Sequence, residues 1–287
     1  MTTGRLISFL GVDGVGKSTL AAALHDRLVG AGHRVVSTSR RAYLKAHGGP
    51  FPSPVAAAAA VTDWNRTLYD GALRSLYTMA TGPEGESVGT LFPPPHGDLR
   101  DEVLEKSLGG AGVAANRPEA LFAAALAEMA GALAWHTGVV LPEVARGTVV
   151  IEETHPYKMV TKLCVLAQRA KGTSAVPEGV ALLRAAALLL GPGPLTLPVL
   201  LSCDVGDAYD RRVAQYGELG ALEHYQLAGG GTDRDAYLDL QSRSQAAFEA
   251  AAALWQIPEL RMERGEEAAV AAALDSLLAH ERLAHLV

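Results

Sequence analysis

The chain has 287 residues, 49% of them hydrophobic, with a formal net charge of −6 and two cysteines. That length can bury a sizeable core in one large domain, and the acidic balance with no basic stripe excludes a nucleic-acid groove. Cys164 and Cys203 alone exclude a disulfide framework, and a chain that enters a strand within a few residues, without a charged head and apolar leader, points to the cytoplasm.

Arg5 to Leu10 is an apolar run of strand length, and Leu20 to Leu28 places leucines at helical spacing. Between them lies Gly11-Val12-Asp13-Gly14-Val15-Gly16-Lys17-Ser18-Thr19. Gly30 and Gly32 end the first helix, and His33 to Thr38 reads as a second strand, parallel to the first through a right-handed crossover. Residues 43–118 form an insertion rich in Pro, Gly and Ala; a helix is expected over Asp63 to Met79 and a mobile loop over Gly82 to Asp98. Glu119 to Gly138 is alanine-rich and helical, Pro142 to Gly147 is read as a turn, and Thr148 to Ile151 enters as a buried strand ending at Glu152-Glu153. Helices follow over Tyr157 to Ala170 and Glu178 to Leu190. A fourth strand, Val199 to Cys203, has Pro198 at its first position, and a helix over Asp207 to Gln215 has Asp207 as its cap. Tyr237 to Leu254 is a long helix, Leu260 to Met262 a fifth strand, and Glu266 to Leu286 the closing helix. The separate apolar stretches, such as Ala185 to Leu190, fall far below the roughly 20 residues that cross a bilayer, so no membrane partner is expected. Strands alternating with helices predict an α/β doubly wound parallel sheet of five strands.

The glycine-rich stretch has the G-x4-G-K-S form of a phosphate-binding loop in its required strand, loop, helix context. Glycines free the backbone N–H groups to wrap terminal phosphates, and the helix offers its positive end. Gly11, Asp13, Gly14, Val15, Gly16, Lys17, Ser18 and Thr19 are thus the candidate ATP-binding residues, with Lys17 bridging the β- and γ-phosphates and Ser18 on Mg2+.

The loop's narrower form G-x-D-G-x-G-K-S-T resembles that of the thymidylate kinase-like P-loop nucleotide kinases. Pro142 to Ile151, Leu195 to Arg212 and Tyr237 to Leu278 are similar to later parts of that family, so the resemblance covers residues 1–40 and 119–287. It implies one P-loop kinase domain over 1–287, strand order 2-3-1-4-5, a lid over 208–235, a two-fold homodimer, and ATP with Mg2+. It also implies that Asp13 turns from the donor to accept a hydrogen bond from an acceptor hydroxyl; a turn-stabilising role is the alternative reading.

The acceptor half departs from the family. Its D-R-Y at the third strand's end is here Glu153-Thr154-His155, its A-D-R has no counterpart between Ala124 and Trp135, and its R-E-P-G-G is replaced by Ser39-Arg40-Arg41-Ala42. A carboxylate at the strand tip can orient Mg2+ through water; Glu153 is the candidate, with Glu152 one register step away. Arg211 and Arg212 are the lid candidates for the transferring phosphate, with Arg234 a further one. Adjacent helical residues point about 100 degrees apart, so one of the first pair is expected in an ion pair. Arg40, Arg66, Arg74, Phe122, His155 and Tyr157 are the candidate acceptor-binding residues, with Trp64, Tyr69, Asp70, Tyr77, Glu128 and Lys158 also in range. The expectation is an ATP- and Mg2+-dependent phosphotransferase acting on a nucleoside monophosphate or nucleotide-like acceptor. A kinase of a neutral hydroxyl is the alternative, and a regulatory P-loop NTPase the third reading.

Overall fold

The computed structural model describes residues 4–40, 118–170, 177–217, 219, 223, 233–262 and 266–283. The expected helix over 63–79 and loop over 82–98 lie outside the described residues, as do Arg66 and Arg74. Five strands, β1 (Arg5–Leu10), β2 (Val35–Thr38), β3 (Val149–Glu152), β4 (Thr196–Ser202) and β5 (Glu259–Arg261), form one parallel sheet in the order β2-β3-β1-β4-β5. The expected α/β class and strand order are those observed.

The helices are α1 (Lys17–Gly30), α2 (Pro118–Trp135), α3 (Leu141–Ala145), α4 (Tyr157–Ala170), α5 (Pro177–Leu190), α6 (Val205–Tyr216), α7 (Asp233–Trp255) and α8 (Glu266–Leu278). α2, α4, α5 and α7 pack on one another, and α1 lies against α8. β1 is the sheet's centre and is buried from Leu6 to Leu10, as a strand paired on both edges and covered on both faces must be. Alternation along the strands splits the core. Leu6, Val36 and Val150, side by side in register, join Trp135, Val139, Val140 and Val144; Ile7, Phe9, Val149 and Ile151 belong to the larger cluster with α1, α4 and α7.

Three local readings are corrected. The chain does not turn at Pro142: a π-helical turn (His136–Val140) links α2 to α3, and the Leu141 N–H reaches the His136 carbonyl. Proline crowds the carbonyl four residues back and donates nothing itself, and the wider turn accommodates both effects without ending the helix. Leu121–Ala145 is consequently a 25-residue helical run of mean hydropathy 1.3, long and apolar enough by length and composition to cross a membrane, with half of that window buried inside the fold. Apolar stretches counted one at a time between Glu128, His136 and Pro142 hid it.

Pro198 is the third residue of β4, not its first. Leu200 donates to the Pro258 carbonyl on the β5 side, and residue 198 faces the same way, two places before β5 pairing begins at Glu259. No ladder bond is lost there. The cap of α6 is Asp204, whose Oδ1 accepts from Gly206 N at 2.8 Å and Asp207 N at 3.1 Å. Asp207 lies within the first turn. Cys164 and Cys203 are both free and buried.

Candidate functional site

At the carboxyl end of β1 the chain must leave the sheet and start α1 within a few residues, and two glycines make this possible. Gly14 has φ 75° and Gly16 φ 105°, both in the left-handed region. A Cβ on Gly14 would stand 2.2 Å from the Ala208 carbonyl oxygen of α6, so the loop is sealed against that helix. α1 then begins without a side-chain cap and without an acidic residue in its first turn. Its first N–H groups are left for an anion, and Ser18 and Thr19 stand exposed beside them.

Lys17 is buried, and its ammonium donates to the loop's own carbonyls, Gly11 O at 3.1 Å and Val12 O at 2.5 Å. Burial pulls it well below its ordinary value, and nearby Lys158 adds to this against the opposing pull of Asp13. A bound phosphate would restore the charge balance that the loop carbonyls supply only in part.

The loop residues from Asp13 to Thr19 line a cavity of about 720 Å3. Glu153, Thr154 and Lys158 line it from the β3 side, Arg211 and Arg212 from α6, and Met262, Ala269 and Val270 from the β5 end and α8. Glu153, the sequence candidate, is therefore at the cavity, whereas Glu152 is buried elsewhere. Trp135 Nε1 donates to Glu152 Oε1 at 3.0 Å, and His136 Nε2 lies 3.0 Å from Oε2. Burial raises the Glu152 carboxyl, but His136 and Trp135 outweigh it, so it is held below its ordinary value.

The two arginines divide as helix geometry requires. Arg211 Nε donates to Gly14 O at 3.0 Å, clamping the loop from α6. Arg212 pairs with Glu223, Nε donating to Oε2 at 2.8 Å, and stacks 4.0 Å from the Tyr216 ring centroid. Arg234 lies 5.5 Å from the Tyr209 ring centroid.

Asp13 makes contacts that sequence reasoning missed. Its carboxylate takes the ammonium groups of both Lys158 and Lys162, one on each oxygen. Gln241 Nε2 donates to Oδ2 at 3.2 Å, Asp13 N donates to Gln241 Oε1 at 3.3 Å, and the Tyr237 hydroxyl donates to Asp13 O at 2.6 Å. Burial pushes the Asp13 carboxyl up, but Lys158, Lys162 and Lys17 together hold it well below its ordinary value. The four-residue spacing of Lys158 and Lys162 on a helix that starts beside the strand tip is the signal that could have found them.

Other acceptor candidates stand apart from the cavity. His155 is 1% exposed; Nε2 lies 3.1 Å from Leu190 O, and Tyr157 N donates to Nδ1 at 3.2 Å, so the neutral ring has its proton on Nε2. Tyr157 is 4% exposed and edge-on to Trp255 at 5.1 Å. Phe122 is packed against the larger core cluster. Arg40 Nη1 donates to Glu128 O at 3.0 Å, and the same guanidinium pairs with the Glu128 carboxylate, tying the end of β2 to α2.

No protein-family model matches the chain, and no curated protein matches it. Among solved structures it is similar to a thymidylate kinase from Candida albicans, with a TM-score of 0.50 and 14% identity over 99% of this chain and 94% of that one. A likeness at that identity shows a common fold.

Proposed function

We propose that the chain is an ATP- and Mg2+-dependent phosphotransferase of the P-loop nucleotide kinase type, acting on a nucleoside monophosphate or nucleotide-like acceptor. The observation that carries this is the convergence, on one cavity, of an uncapped helix N-terminus, Lys17, a strand-tip carboxylate and two arginines. The fold shared with a thymidylate kinase supports the same reading.

The loop binds the donor's phosphates through backbone N–H groups and Lys17, which exchanges the Gly11 and Val12 carbonyls for phosphate oxygens. Ser18 and Glu153 are the residues that would hold Mg2+, the latter through water; the metal supplies charge neutralisation on the donor. The residues fit that task, since Ser18 is exposed on the first turn and Glu153 lines the same cavity. Arg211 and Arg212 bring positive charge from α6, and Met262, Ala269 and Val270 give the apolar wall that a base requires. The reaction breaks the bridge between the donor's last two phosphates, forms a new P–O bond to an acceptor oxygen, and releases ADP; a proton on that oxygen passes to solvent.

Thr154 favours a second reading. It lines the cavity where the family resemblance implies an arginine for an acceptor phosphate, which suits a neutral hydroxyl acceptor instead. Calorimetry with a non-hydrolysable ATP analogue, followed by an ADP-release assay over nucleoside monophosphates and nucleosides, tests the proposal. Lys17→Ala is expected to weaken analogue binding about tenfold or more, as loss of a charged phosphate contact does. Unchanged binding would remove the loop from the mechanism.

A further inference from the structure

The last residue of β3 is a carboxylate at a position that packing alone would fill with an apolar side chain. Alternation along the strand puts Val149 and Ile151 in the larger core cluster and Val150 in the cluster with Trp135 and Val144, so Glu152 follows Val150 onto that second face. Glu153 N donates to the Thr38 carbonyl at 3.2 Å, so the ladder runs one residue further and Glu153 returns to the face of Ile151, where it lines the cavity. The two glutamates thus point to opposite sides of one strand tip.

The Glu152 side chain is 2% exposed, and Trp135 Nε1 and His136 Nε2 each stand 3.0 Å from one of its oxygens. Buried polar pairs often stabilise a fold no more than well-packed apolar residues in their place. What this group supplies is direction. Trp135 closes α2 and His136 opens the π-helical turn; adjacent helical residues point about 100 degrees apart, so the carboxylate is gripped from two sides and left no free rotation. Wide turns of this kind recur at functional sites. The rest of the tip is fixed as well. Glu152 pairs in register with Ser8 of β1 and Thr38 of β2, and two turns before Trp135, on the same face of α2, Glu128 holds Arg40 just beyond β2.

We infer that Trp135 and His136 are positioning residues for the metal-orienting carboxylate: they hold Glu152, and through the shared strand tip they aim Glu153 at the place where Mg2+ would be held. The inference rests on the assignment of Glu153 under the proposed phosphotransferase reading, and it adds two residues that do not themselves line the cavity.

Calorimetry with a non-hydrolysable ATP analogue, once with EDTA and once with Mg2+, tests this, because the ratio of the two affinities gives the gain due to the metal. Trp135→Phe keeps an aromatic ring and loses the donor; His136→Leu loses its polar contact, and His136→Gln keeps one. Trp135→Phe and His136→Leu are each expected to lower the Mg2+ gain about tenfold, as loss of an outer hydrogen-bond partner does at metal sites, with the metal-free affinity unchanged. His136→Gln is expected to keep the gain. Combining either loss with Glu153→Gln is expected to lower it no further than Glu153→Gln alone, because all three act through one carboxylate. A gain left intact by Trp135→Phe or His136→Leu, an equal fall with and without Mg2+, or loss of the gain in His136→Gln overturns the inference. A gain that survives Glu153→Gln overturns the metal assignment beneath it as well, so the two failures are told apart.

Discussion

His155 shows how a residue beside the site can matter to stability and not to chemistry. Burial pushes its imidazole down to about 4 from an ordinary 6.5, against the pull of Glu152. The unfolded chain takes up a proton near 6.5 and the folded chain only near 4, so the unfolded state binds more protons between those values. Stability therefore rises with pH across this window and is lost as pH falls through it, by about 3 kcal/mol in all. The Asp13 and Glu152 carboxyls, both held below their ordinary 3.8 and 4.5, add their own loss only as the pH drops past those values. Urea unfolding of His155→Gln between pH 5 and pH 7 is expected to show a flatter slope than the parent chain, because glutamine can still donate to Leu190 O and does not titrate. An unchanged slope would place the titration on another group. The residue sits two places after Glu153, where the resembled family carries the last residue of its D-R-Y, and that position before α4 made it look like an acceptor ligand. Its bond from Tyr157 N is local, but the partner on Nε2, Leu190 O, is brought there by the packing of α5 against α4, which no local pattern encodes.

At the scale of elements, sequence spacing was most informative where a strand or helix is buried along a clean stripe. β1 and α4 were legible because the core demands their periodicity, and α4 begins and ends where its pattern does, whereas the strand order came only from the family resemblance. Caps and joints were less legible. Asp204 and Asp207 are both good capping residues, and only the extended backbone at Asp204, with φ −64° and ψ 128°, decides between them. Asp204→Ala is expected to cost about 1 kcal/mol, and Asp207→Ala markedly less, in chemical denaturation. Equal costs would mean that Asp204 does not act through the cap. Loosening α6 also loosens Arg211, whose bond to Gly14 O holds the loop, so Asp204→Ala is expected to weaken nucleotide binding by a small factor in the same titrations. Of Asp13's partners, Gln241, 228 residues away in the chain, could not be read at all, and Lys158 and Lys162, 145 and 149 residues away, left only their four-residue spacing as a sign. A carboxylate inside a phosphate loop nevertheless demanded a counter-charge.

The whole molecule joins the two scales through β1. Its carboxyl end carries the loop, its edges pair with β3 and β4, and its faces are buried, so the loop's conformation is set by the middle of the sheet. A ligand that grips the loop therefore binds the folded chain and not the unfolded one, and must stabilise all of it. At about 100 times the dissociation constant this linkage contributes about 2.7 kcal/mol. For a chain of this size that is a rise of roughly 5 °C in the unfolding midpoint. A thermal scan with a non-hydrolysable ATP analogue and Mg2+ is expected to show the rise in the parent chain. Lys17→Ala is expected to show almost none. A full rise in Lys17→Ala would mean that the ligand does not grip the loop through this ammonium group, and the coupling of site to sheet would have to run through another element.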